Sequence, residues 1–141
     1  MDENYYLRFP SILKGALIER TVTFGDDVQF RYEPILAYRV IKREHGNEMS
    51  VHRSDFKSKV EILKEERRGG NVDENNISHY SCSLFQDLEI LKTVMRLPGP
   101  SRKIIQGFVT DSYGPCLMSD SHVDWWLFEQ ADPSFEFEVF T

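Results

Sequence analysis

Cysteine is scarce in this chain, with Cys82 and Cys116 the only two among 141 residues. Neither has a CxxC partner, and a secreted scaffold of this size usually carries more. That excludes a disulfide framework and a thiol redox motif as organising features. Both thiols are expected to be buried and structural. Long apolar runs are also missing: none approaches the ~20 residues needed to span a bilayer. The opening Met-Asp-Glu-Asn-Tyr-Tyr lacks the apolar core of a signal peptide. A reduced, cytoplasmic protein is expected. Positive charge is in deficit, 17 Lys and Arg against 23 Asp and Glu, for a formal net charge of -6. A basic face to neutralise phosphates is therefore not expected, which argues against nucleic acid as a partner. Arg67-Arg68 and Arg102-Lys103 read as solvated pairs.

Motifs that announce an activity are absent too. There is no P-loop or GxGxxG. No HExxH or Cys/His cluster has zinc spacing, so no metal is expected. There is no GxSxG elbow.

What is present suits one globular domain spanning 1–141. Hydrophobic residues make up 40% and aromatic residues 13%, enough to fill a core or line a cleft. Alternation predicts a strand over 17–24 and, after the turn signal Gly25-Asp26-Asp27, a second over 28–32. Residues 1–34 then either join the main core or form an appended hairpin. Further strands are expected over 35–41, 80–85, 103–109, 122–128 and 135–140. Ser54, with Asp55 behind it, is expected to cap a helix carrying Phe56, Val60 and Leu63, with Gly69 as its stop. Residues 69–79, rich in Gly and Asn, are expected to form a mobile loop. A second helix over 87–96 carries the stripe Leu88, Leu91, Val94 and Met95, and Pro98 and Pro100 end it. These elements do not alternate regularly. The expected fold is α+β, two helices against a mainly antiparallel sheet.

Four places carry residues with chemical potential. His122, Asp124 and Trp126 share one face of a strand, where an imidazole beside a carboxylate can act as a general base or hold an anion. An ordinary hydrogen-bonded histidine next to a core tryptophan is the competing interpretation. Ser81 and Ser83 point one way from their strand and can hold a polar ligand, or simply face solvent. Arg39 lies inside an apolar strand, where an arginine needs a partner. That partner is a phosphate or carboxylate ligand, or a glutamate in a structural salt bridge. Glu136 and Glu138 share a face near the end, with Phe135, Phe137 and Val139 packing on the other.

Two resemblances follow. Tyr38-Arg39, Asp55-Phe56-Lys57-Ser58, Ser83-Leu84-Phe85, His122 to Trp125 and Asp132-Pro133 resemble the recurring features of a group of small bacterial proteins that carries no established function. The order of an early-strand arginine, an aromatic-Ser-x-Ser, a helix and a late Glu-x-Glu is similar to the arginine–serine–glutamate class of ADP-ribosyltransferases. That likeness implies Arg39 on the NAD phosphates, Ser81 or Ser83 as the positioning serine, and Glu138 or Glu136 as the catalytic acid beside the nicotinamide ribose. The chain departs from that class in lacking a Ser-Thr-Ser form. The expected function is a non-catalytic interaction or accessory module of bacterial or mobile-element origin, with another protein as partner and no cofactor. The alternative is an NAD-binding enzyme of the ADP-ribosyltransferase type using Arg39, Ser83 and a C-terminal Glu, with His122 as a further catalytic candidate and Trp126 lining the site.

Overall fold

The computed structural model describes residues 3–42, 49–67, 71–95 and 102–140. Six strands form one antiparallel sheet: β1 (Ile35–Lys42), β2 (Cys82–Phe85), β3 (Arg102–Val109), β4 (Cys116–Ser119), β5 (His122–Trp125) and β6 (Phe137–Val139). Their spatial order is β4-β5-β2-β1-β3-β6. Among the described residues the α-helices are α1 (Glu3–Tyr6), α2 (Ser11–Ile18), α3 (Lys59–Glu66) and α4 (Leu88–Met95). The α+β architecture expected from the pattern of elements is the one found.

Alternation along each strand sets two faces. In β1, Ile35, Ala37 and Ile41 are buried on one face, with Arg39 between them, while Leu36, Tyr38 and Val40 look the other way. The inner face continues through Cys82, Leu84, Ile105, Val109, Val123, Trp125 and Phe137, and all of these join one continuous buried cluster. The outer face is covered in part by α4, whose Leu91 is buried.

Where a strand was expected over 17–24, α2 runs to Ile18 and residues 19–24 form turns and irregular chain. Phe9, Leu13 and Leu17 are spaced four apart and all are buried, so the helical period decides over the alternating one. Ile18, which the alternating pattern counted as inward, is 57% exposed. Arg20 sits at φ 63° just past α2, a left-handed residue that turns the chain away. Only Gln29 pairs as a strand residue in the 28–32 stretch, bridging Cys116. Val22 and Val28 nevertheless belong to the main buried cluster, so this region closes the core and does not form a hairpin.

Ser54 falls in a single 3-10 turn, Arg53–Phe56, and the cap of α3 is Ser58. The reason is reciprocal bonding. The Ser58 hydroxyl accepts from the Glu61 amide at 3.1 Å, and the Glu61 carboxylate accepts from the Ser58 amide at 3.1 Å. Gly69, Pro98 and Pro100, expected as helix stops, lie outside the described residues, as do 69 and 70 of the expected loop. Residues 71–79 are tied by their own bonds, among them the Asp73 amide to His79 Nδ1 at 2.8 Å and the Ser78 amide to Asn76 Oδ1 at 3.0 Å.

Strand β4 was not expected. It pairs with β5 through a two-residue turn, with Ser119 opposite His122 and Asp120 at φ 53°. Near the end, Phe135 lies in a 3-10 turn (Pro133–Glu136) and is 87% exposed. It does not pack as strand alternation implied; Phe137 does.

Candidate functional site

The centre of the sheet is nearly split. β1 and β3 pair along their whole length, from Ile35 opposite Val109 to Lys42 opposite Arg102. β1 and β2 share one register pair, Tyr38 opposite Phe85. Beyond it the strands separate, and the Arg39 side chain fills the gap. Its NH1 donates to the Ser83 carbonyl at 2.6 Å, its Nε to the Asp55 carbonyl at 2.8 Å, and its NH2 to the Lys57 carbonyl at 3.2 Å. The fork thus replaces ladder bonds with side-chain bonds and joins β2 to β1 and to the segment before α3. It is not capped by Glu136 or Glu138. Three of its five N–H groups are used in this way, and the guanidinium lines open clefts on both sides of the sheet.

On the outer face, the β2–β5 register sets Ser83 opposite Asp124 and Phe85 opposite His122. The diagonal brings Ser83 and His122 together, with Oγ and Nε2 2.5 Å apart. The other ring nitrogen, Nδ1, stands 3.8 Å from Asp124 Oδ1. Asp124 is almost fully buried and accepts from the Ser81 hydroxyl at 2.8 Å. That hydroxyl also lies 2.7 Å from the Ser78 carbonyl; its single proton serves one of the two. Burial pushes the Asp124 carboxyl pKa up, against the opposing pull of the Ser81 hydroxyl and the His122 ring. Phe85 meets the His122 ring edge to face at 5.2 Å. Arg39, Ser83, His122, Asp124 and Ser81 therefore lie in one neighbourhood where β1, β2 and β5 meet, with hydrogen bonds at each step except the 3.8 Å approach of His122 to Asp124.

Through Ser83 this neighbourhood borders a cleft of about 250 Å³ between α4 and the outer face, with Ser83, Phe85 and Val40 on one side and Leu91 and Val94 on the other. Arg39 and Arg102 also line it. The α4 wall was the part of the site not foreseen. Its signal in the sequence is the apolar stripe that includes Leu91 and Val94.

Other expected site residues lie elsewhere. Glu138 is on β6, opposite Gln106 and accepting from its amide at 3.2 Å. Two strands separate β6 from β2, roughly 14 Å at ordinary strand spacing. Glu136 accepts from the Tyr113 hydroxyl at 3.1 Å. Neither glutamate joins Arg39 and Ser83. Trp126 is fully buried, its indole N–H donating to the Ile77 carbonyl at 2.9 Å and its ring 5.2 Å from Phe24. It leaves the ladder after Trp125 and turns into the core, so it offers no surface to a ligand.

Both cysteines are buried and free. Burial raises the Cys82 thiol pKa and pushes that of Cys116 up to about 11, which suits packing rather than reactivity. Among the described residues, no helix is long and apolar enough to cross a membrane, and no group of three His, Cys, Asp or Glu side chains gathers to hold a metal ion. No protein-family model, curated protein or solved structure matches the chain.

Proposed function

We propose that this protein binds a phosphorylated nucleotide of the NAD class at the β1–β2 split and acts in the manner of an ADP-ribosyltransferase. One observation carries the reading. Arg39 and Ser83, the arginine and serine that the sequence resemblance singles out, are joined through the Ser83 backbone carbonyl and line one cleft, and an acid and an imidazole stand on the next strand. In this reading the two uncommitted N–H groups of Arg39 face the phosphates. Asp124, and not Glu138, takes the part of the acid, because it alone shares the Ser83 neighbourhood. Its charge beside a ribose would stabilise an oxocarbenium-like transition state, with Ser81 and His122 holding the carboxylate in position. The apolar walls of the α4 cleft suit a flat ring.

The test is thermal melting with and without millimolar NAD. Binding to the folded state alone raises the melting temperature by mass action, by about 2.7 kcal/mol of stability at a hundred times Kd. Ser83→Ala and His122→Ala should keep the fold and lose the rise. No rise in the unaltered protein would overturn the reading.

A second reading, an interaction module for another protein, is supported by a different observation. α4 covers only part of the outer face, and over β1, β3 and the chain end Leu36, Phe108 and Phe140 remain 44%, 49% and 44% exposed. Neighbouring exposed apolar side chains of this kind mark contact surfaces.

A further inference from the structure

We propose that Ser83 is itself a nucleophile, activated by His122 and Asp124, and that the α4 cleft accepts a small activated carboxylic ester with an apolar acyl chain. The proposal uses the same side chains as the NAD reading and asks a different reaction of them. Ser83 Oγ lies 2.5 Å from His122 Nε2, and Asp124 Oδ1 stands 3.8 Å from Nδ1 on the far side of the ring. That is the order hydroxyl, imidazole, carboxylate, which activates serine on several unrelated folds. Burial of Asp124 and the bond from Ser81 fix the carboxylate. The tautomer with its proton on Nδ1 leaves Nε2 free to accept from Ser83, and at 3.8 Å Asp124 acts on the ring through its charge. The two reacting groups are reachable, since the His122 side chain is 32% exposed and Ser83 lines the α4 cleft.

The chemistry balances without a co-reactant other than water. Ser83 Oγ attacks the ester carbonyl carbon as its proton passes to His122 Nε2. The carbon–oxygen bond to the alcohol breaks, and the alcohol leaves with the proton from Nε2. Water then adds to the acyl-serine, giving its proton to Nε2, and the Ser83 oxygen takes that proton back as the carboxylic acid departs. Negative charge builds on the carbonyl oxygen in both halves. Arg39, whose NH1 donates to the Ser83 backbone carbonyl, lines the same cleft as Ser83 and brings positive charge to its edge. Val40, Phe85, Leu91 and Val94 give the acyl chain an apolar berth.

The experiment treats the full chain with an alkyl fluorophosphonate and follows intact mass, then maps the modified peptide. One equivalent should add, on Ser83. Ser83→Ala should take up none, and His122→Gln, which keeps a polar side chain but no base, should label about 100-fold more slowly while melting within a few degrees of the unaltered protein. Should His122→Gln fail to fold, Asp124→Asn replaces it, with slower labelling again expected. No adduct on Ser83, or equal labelling rates in the folded variants, would overturn the proposal. An NAD-dependent rise in melting temperature with no adduct would leave the NAD reading standing and remove this one.

Discussion

Asp124 shows how one residue's surroundings set both its chemistry and its cost. A carboxyl buried against a sheet face loses hydration, and its pKa is raised. The folded state then holds its proton more firmly than the unfolded chain does. The contribution to stability is full below the unfolded value, near the usual carboxylate range, and is lost as pH rises through the higher folded value. Asp124→Asn keeps an acceptor for Ser81 and removes the charge. The variant should therefore gain in melting temperature relative to the unaltered protein at pH 7, and the gain should shrink as pH falls towards 4. A difference that stays constant across that range, in paired melts, would contradict the assignment. The pairing of His122 with a carboxylate was legible in the sequence, because residues two apart on a strand share a face. The partner of that pair was not. Ser83 meets His122 diagonally across two strands 39 residues apart, and only the register decides that contact.

At the scale of elements, Arg39 holds together two strands that barely pair. Removing its fork leaves the Ser83, Asp55 and Lys57 carbonyls without their donor at a half-buried site, where bonds to a charged group contribute ~1.5–3 kcal/mol each and do not add independently. Arg39→Ala should cost about 3 kcal/mol in urea unfolding. Arg39→Lys should recover little of that, because a single ammonium cannot span three carbonyls set by a planar fork. A loss below about 1 kcal/mol would mean that the β1–β2 junction is held by something else. An apolar strand interrupted by an arginine was legible as a place needing a partner. Backbone carbonyls as that partner were not, since they leave no mark in the sequence. The same limit explains the N-terminal region. Alternation over 17–24 and a four-residue period through Phe9, Leu13 and Leu17 coexist in the sequence, and the buried cluster favours the second. Strand β4 reads Cys-Leu-Met-Ser, with no alternation of apolar and polar residues to mark it.

On the scale of the whole molecule, the α+β class and the elements β1, β3 and α4 were legible because these segments are long and periodic, whereas α1, α2 and β4 were not. The site was legible in its parts and not in its assembly. Arg39, Ser81, Ser83 and His122 converge, whereas Glu138 sits beyond two further strands and Trp126 lies in the core. Against a net charge of -6, the α4 cleft is lined by two arginines, Arg39 of β1 and Arg102 of β3. The central claim is that Arg39, Ser83, His122 and Asp124 act as one ligand site. The most direct measurement is a titration of NAD followed by ring nitrogen and carbon signals of the histidines in NMR spectra, with His122 assigned by its glutamine variant. The account predicts that the His122 ring shifts to a saturating endpoint while His52 and His79 stay unmoved. A His122 signal unchanged at millimolar NAD would contradict it.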